Sequence, residues 1–190
     1  VVDGFREKLR LIKEMPTTTK EERQAQDDAL QALRLEMKSI RVFDPACGSG
    51  NFLTETFKSL RRIDMEARAH MGFWGKQQYL GNTDPCEVQM TQFYGIEIDD
   101  FAVYVAKTAI WISECQMLKE LSKEIEGIKI LPLIGNNNIK CADALRYDWT
   151  KLVKRSQKTP IYIIGNPPFQ GSQRKSEEQK QSKAIAMSAV

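Results

Sequence analysis

Several things are missing from this 190-residue chain, and each absence removes a class of protein. Its four cysteines, Cys47, Cys86, Cys115 and Cys141, form no CxxC pair, so neither a zinc site nor a disulfide framework is expected. Free thiols in a reducing, bacterial-type cytoplasm are the default reading, and no metal is expected. Histidine occurs once, at His70, with no evident partner, which leaves it a structural role. No apolar run approaches the ~20 residues that cross a bilayer and no secretory signal opens the chain, so no membrane partner is expected. A strong charge of one sign is also missing. Lys and Arg number 28 against 25 Asp and Glu, a net charge of +3 that permits nucleic acid as a partner without demonstrating it. What remains, 42% hydrophobic and 28% charged residues, is ordinary for one globular domain with a proper core.

The stretch that organises the rest is residues 41–53, RVFDPACGSGNFL. Val42 and Phe43 read as a strand, Asp44-Pro45 stops it, and Gly48-Ser49-Gly50 makes a tight turn. Asn51 to Leu60 then read as a helix with Phe52, Phe57 and Leu60 on its inner face. Strand, glycine turn and helix form the first half of a nucleotide-binding α/β unit, although a plain strand-to-helix loop has the same glycines. Asp44 sits where a pyrophosphate would approach, and a carboxylate there repels phosphate and attracts an ammonium group. No lysine followed by Ser or Thr comes after the glycines, so a phosphate-cradling loop is not supported. A cationic, phosphate-free nucleoside such as S-adenosylmethionine fits better.

Before this stretch, Phe5, Leu9, Ile12 and Met15 recur at helical spacing over residues 3–15. Thr19 to Glu22 has the spacing of a capping box that opens a second helix, with Ala25, Ala29, Leu33 and Met37 as its buried stripe. Residues 1–40 are thus expected to be a helical segment packed on the core. After it, residues 61–92 form a long connection with turn-like pieces at 73–75 and 81–85.

The second strong stretch is Phe93 to Asp99, FYGIEID. Glu97 falls at a strand end, either as the acceptor for ribose hydroxyls or as a helix-capping or surface carboxylate. Asp99-Asp100 cap a helix over 101–121 with Val103, Ala106, Ile110, Ile112, Ser113 and Met117 buried. Short β-like runs follow at 128–134 and 139–141, separated by the turn Gly135 to Asn138. The second run delivers Asp143, which either receives an exocyclic adenine amine or caps the next turn. Residues 161–169, IYIIGNPPF, read as a buried strand ended by Gly165 and a stiff turn from Asn166 to Phe169. The two prolines donate no hydrogen bonds and leave carbonyls free to accept, so amide, carbonyl and aromatic ring suit a flat, amine-bearing ring. From Gln170 onward the chain is polar and reads as a mobile loop or frayed tail in which Arg174 and Lys175 can touch phosphates.

Asp44-Pro45-Ala46-Cys47-Gly48-Ser49-Gly50, then Gly95-Ile96-Glu97-Ile98-Asp99, then Asn166-Pro167-Pro168-Phe169 with Gly171, together resemble the DNA adenine-N6 methyltransferases. The form of the last motif resembles the methyltransferase domain of bifunctional type II restriction–modification enzymes. The resemblance covers roughly residues 40–171. It implies a Rossmann-like S-adenosylmethionine-dependent methyltransferase fold, α/β in class, preceded by the helical segment and built on residues 41–170. It also implies double-stranded DNA as partner, with the target adenine flipped out. On it, Asp44, Ala46, Cys47, Gly48 and Gly50 would hold the methionine end of S-adenosylmethionine. Glu97 would bind the ribose, Ile98 would pack on the adenine, and Asp143 with Ala144 would receive its amine. Asn166 and the Pro167 carbonyl would accept from the target amine, Pro168 would stiffen the turn, and Phe169 would stack on the target base.

Three departures shape the expectation further. Only four strand candidates occur, around Val42, Tyr94, Ile139 and Ile161, so the sheet is expected to be incomplete. No nuclease signature is present. The start at Val1-Val2 and the short run after the last motif point to a portion of a longer enzyme, whose DNA-recognition region or partner subunit is missing. The rival readings are a protein glutamine-N5 methyltransferase with a similar NPP-aromatic turn, and a non-catalytic S-adenosylmethionine-binding module.

Overall fold

The computed structural model describes residues 1–71, 84–123, 138–154 and 159–166, together with 176–177, 180–182 and 184. Pro167, Pro168, Phe169, Gly171, Arg174, Lys175 and the run expected at 128–134 lie outside the described residues, as do most of the turns at 73–75, 81–85 and 135–138.

The expected elements form where the sequence places them. Helix α1 spans Val2–Lys13 and buries Phe5 and Leu9. Helix α2 spans Lys20–Ser39, and its capping box is present in full: Thr19 accepts from the Glu22 amide, and the Glu22 carboxylate accepts from the Thr19 amide. Its buried stripe is turned from the expected one. Leu30, Leu33, Arg34 and Met37 face inward, whereas Ala25 is exposed and Ala29 half-buried. The larger residues take the core because they remove more apolar surface from water, roughly 1.5–3 kcal/mol for each fully buried Leu or Met.

Strand β1 (Arg41–Asp44) leads into the glycine turn and helix α3, Asn51–His70. Residues 61–70 of the connection expected over 61–92 are therefore the second half of this helix. Phe57 and Leu60 are buried, but Phe52 is half exposed, because Leu53 and Thr54 take the inward positions of the first turn. Strand β2 (Phe93–Glu97) is followed by α4, Asp100–Leu121, with Asp99 as N-cap accepting from the Ala102 amide at 2.8 Å. Val103, Ala106, Ile110, Ser113 and Met117 are buried as expected, while Ile112 faces out at 44% exposure. β3 is Ile139–Cys141 and β4 is Ile161–Ile163.

All the strand pairs are parallel, in the order β3-β2-β1-β4. β1, β2 and β3 step outward in one direction and β4 returns to the other side of β1. That reversal opens a crevice at the carboxyl ends of β1 and β4, where α/β sheets bind ligands. One face of the sheet is covered by α1–α4 through a cluster that includes Leu30, Val42, Phe57, Phe93 and Ile110. The other is covered by residues 142–153, with Phe43 and Ile96 buried beneath them. β4 is less buried than its composition implies. It is an edge strand among the described residues, Ile161 and Tyr162 are half-buried, and Ile163 is 61% exposed.

A polar clamp fixes the segment that feeds β2. Asp64 on α3 accepts from the Arg34 guanidinium at 2.7 Å and from the amides of Glu87 and Val88 at 2.5 and 3.0 Å. Arg61, fully buried, reaches the Asp84 carboxylate and the Val88 carbonyl. The Gln92 amide group donates to the carbonyls of Met37, Lys38 and Ile40, tying the end of α2 to the start of β2. Nothing in the apolar pattern of 61–92 announces this clamp, because its partners are charged residues far apart in sequence.

Candidate functional site

The site is assembled at the carboxyl end of β1. Asp44 is the last residue of that strand and is 1% exposed. Its Oδ1 accepts from the Ala46 amide at 3.0 Å, which folds the chain back at Pro45. The Cys47 amide donates to the Ile96 carbonyl at 3.0 Å and so carries the turn across to β2. Gly48 and Gly50 both have positive φ, 52° and 81°. At Gly50 a side chain is doubly excluded: the left-handed backbone disfavours it, and its Cβ would lie 3.1 Å from that of Ala106 on α4. The turn is therefore held tight against both following helices.

Glu97 ends β2 beside this turn. Its Oε2 accepts from the Gly48 amide at 2.9 Å, and its Oε1 accepts from the amides of Ile98 and Asp99 at 2.8 and 3.0 Å. The carboxylate thus latches the glycine turn to the β2–α4 loop, a role the sequence did not announce. Ile98 is 69% exposed beside it. Asp143 lies two residues beyond β3, which pairs Glu97 with Cys141. Its Oδ1 accepts from the Leu145 amide at 2.9 Å, so the turn-capping role weighed for it is real. Its Oδ2 accepts from the Ser182 hydroxyl at 2.7 Å. Ala144 is half-buried and its carbonyl accepts from the Trp149 indole at 2.8 Å.

Gly165 follows β4 with φ 137°. A Cβ there would stand 2.5 Å from Asp44 Oδ1 and 2.9 Å from its Cγ. The backbone that leads into Asn166 therefore rests directly on the Asp44 carboxyl group. Asn166 itself is exposed. The structure brings Asp44, the 46–50 turn and the approach to Asn166 into one place, with Glu97 and Ile98 alongside. Of the described residues that matter, Gly165 was read only as a strand end, and Ser182 was read as part of a polar tail. Ser182 is in fact 4% exposed, and no signal in the sequence distinguishes it from its neighbours.

Electrostatics favour a cation here. Among the described residues, Asp44 Oδ2 is buried with no hydrogen-bond partner. Burial, the largest influence, pushes the Asp44 carboxyl above the usual carboxylate range; the Ala46 amide offsets part of this and the Glu97 charge adds to it. A buried acceptor without a donor costs about 1–3 kcal/mol, which a bound ammonium group would recover. The same burial, with Asp44 and Glu97 nearby, pushes the Cys47 thiol up to about 12, so it stays protonated and is no nucleophile. Among the described residues, no group of three or more His, Cys, Asp or Glu side chains is placed to hold a metal, and no helix is long and apolar enough to cross a membrane.

The same architecture occurs in a solved structure of the type IIL restriction–modification enzyme MmeI in complex with DNA, with a TM-score of 0.79 and 28% identity over 95% of this chain and 22% of that one. With its parallel sheet, its switch-point crevice and its glycine turn after an acidic strand end, the molecule is of the Rossmann-like methyltransferase class. The chain belongs to the family described as MmeI, DNA-methyltransferase domain, whose model matches residues 19–190. It is 40% identical over 154 residues to DNA methyltransferase A of Bacillus subtilis (strain 168), covering 80% of this chain and 17% of the relative. It is 32% identical over 95 residues to the adenine-specific methyltransferase BrxX of Escherichia coli O9:H4 (strain HS), covering 50% of this chain and 7% of the relative. The chain thus spans less than a fifth of the length of these curated relatives.

Proposed function

We infer that this domain transfers a methyl group from S-adenosylmethionine to the exocyclic N6 of adenine in double-stranded DNA, within a restriction–modification or related defence system. The observation that carries the reading is the buried Asp44 carboxylate, one oxygen unpartnered, at a glycine turn with no phosphate-binding lysine. That donor set suits the ammonium end of S-adenosylmethionine and repels a phosphorylated nucleotide. The adenine-specific name of one relative supports the choice of target base. Asp44 and the 46–50 turn would hold the methionine end, Glu97 the ribose, Ile98 one face of the cofactor's adenine, and Asp143 with Ala144 its amine edge.

S-adenosylmethionine, when bound, supplies an electrophilic methyl group. The chain supplies orientation. The N6 lone pair of adenine is delocalised into the ring, so the nitrogen is a poor nucleophile. Asn166 Oδ1 and the Pro167 carbonyl accept from its two hydrogens and favour a tetrahedral nitrogen whose lone pair is free. Fixed acceptors at a developing charge provide this without a side-chain base of raised pKa. Pro167 and Pro168 stiffen the turn, and Phe169 stacks on the flipped base. No cysteine nucleophile is required, which agrees with the protonated state of Cys47.

Incubation with methyl-labelled S-adenosylmethionine, duplex DNA and protein substrates tests the reading. Label recovered as N6-methyladenine after nucleoside digestion is the expected result. Label on glutamine side chains would transfer the domain to the protein-methylating class. Binding of the cofactor with no transfer to either, in a protein carrying the domain at the full length of its relatives, would make it a binding module.

A further inference from the structure

We propose that Ser182, held by Arg146, is a positioning residue that aims the Asp143 carboxylate at the amine edge of the cofactor's adenine, and so sets the preference for adenine over a deaminated base. The proposal rests on the reading of Asp143 as the acceptor for that amine and names the residues that make it selective.

Asp143 hangs from a loop two residues past β3, where a free carboxylate would sample several rotamers. Three contacts prevent that. The Leu145 amide holds Oδ1 at 2.9 Å, and the Ser182 hydroxyl holds Oδ2 at 2.7 Å. Arg146 Nε donates to Ser182 Oγ at 2.9 Å and lies 3.5 Å from Asp143 Oδ2. The hydroxyl therefore accepts from the guanidinium and must spend its one proton on the carboxylate, which fixes its direction. Ser182 is 4% exposed and 39 residues from Asp143 in sequence, so the contact is tertiary rather than a local turn bond.

A count of lone pairs separates aiming from blocking. A carboxylate offers about four acceptor positions, and the amide and the hydroxyl take two. Asp143 keeps 28% side-chain exposure, so a ligand can still reach the side chain and the acceptor positions left over. A plug would use them up. The Ala142 amide, one residue before Asp143, donates to the Glu97 carbonyl at 2.9 Å, so the loop that carries Asp143 is tied to the end of β2, where Glu97 stands. A deaminated base presents a carbonyl oxygen where the amine was, and a fixed carboxylate repels it.

Calorimetric titration of the chain with S-adenosylhomocysteine and S-inosylhomocysteine reads this directly as a ratio of affinities. The wild type is expected to prefer the adenosyl compound by about tenfold or more, as for a charge-assisted hydrogen bond. Asp143→Ala removes the preference. Ser182→Ala reduces it at least about threefold while changing the inosyl affinity little, and Arg146→Gln, at a half-exposed side chain, does the same more weakly. A merely structural contact would lower both affinities together and leave the ratio alone. An unchanged ratio in both variants, with the preference present in wild type and lost in Asp143→Ala, overturns the role of Ser182 and keeps that of Asp143. No preference in the wild type overturns the reading of Asp143 and the proposal with it.

Discussion

Replacing Glu97 by glutamine looks conservative and should not be. The carboxylate accepts three backbone amides, two on Oε1 and one on Oε2, and a glutamine offers a single acceptor oxygen. With that oxygen toward Ile98 and Asp99, the new NH2 group points at the Gly48 N–H, donor against donor. Flipped, it loses two bonds instead of one. The Gly48 bond is half-buried and charge-assisted, so its loss costs about 1.5–3 kcal/mol, whereas the exposed Ile98 and Asp99 amides can turn to water. Taking about 2 kcal/mol, and about 2–4 °C per kcal/mol for a chain of this size, the unliganded Glu97→Gln protein should melt about 4–8 °C lower. Glu97→Ala should fall in the same range, because it too strands the half-buried Gly48 amide, while the exposed Ile98 and Asp99 amides it also frees can turn to water. Scanning calorimetry of the unliganded protein measures this apart from any ribose contact, which would appear as an additional loss of S-adenosylmethionine affinity. A Glu97→Gln variant that melts within about 1 °C of wild type would refute the latch.

The burial of Asp44 fixes a sign. Its folded pKa lies above 3.8, so the folded state holds the proton longer than the unfolded chain, and wild-type stability drains away as pH rises through the raised value. Melting temperature of Asp44→Asn minus that of wild type should therefore increase from about pH 4 upward, while ammonium-dependent cofactor binding is lost; a flat difference would show that the carboxyl is not desolvated. Asp64→Ala strands the buried Arg34 guanidinium and two amides, and should destabilise by about 3–5 kcal/mol in denaturant titration. Alkylation followed by mass spectrometry should label exposed Cys141 ahead of Cys47 and Cys86, whose thiols are buried and pushed up to about 12. Asn166→Ala should lower methyl transfer by about 10²–10³ and leave cofactor affinity near wild type, and a parallel loss of both would remove Asn166 from the chemistry.

What could be read in advance was whatever is local. The capping box at Thr19, the glycine turn, the Asp99 cap and the four strands depend on residues within a few positions of each other. Their patterns survive in any context that folds. Side-chain facing was less legible. Ala25 yielded the core to Leu30, Phe52 gave the inward position of its turn to Leu53, and Ile112 faced outward on α4, whose apolar residues lie all round and so carry no directional signal. The clamp at 84–92 was invisible because Arg34, Arg61 and Asp64 on their helices read as solvated faces until their partners arrive from 23 to 51 residues away.

The site shows the same division, with a consequence for how its residues work. Asp44, Glu97 and Asp143 were each legible as carboxylates at strand ends. Their differences are tertiary. Glu97 is occupied by three amides and acts first as a structural latch, with one acceptor position to spare. Asp143 is aimed by a side chain from a distant part of the chain. Asp44 alone keeps a buried oxygen without a partner, and the backbone before Asn166 lies against it. Gly165 makes that approach possible, since any side chain there would collide with the carboxyl group. The residue expected to hold the methyl donor thus lies against Gly165, directly before Asn166, which is expected to hold the target. A charge bound at that carboxylate would act on the backbone at Gly165, which gives a physical reason for the two expected roles to meet at the end of one strand.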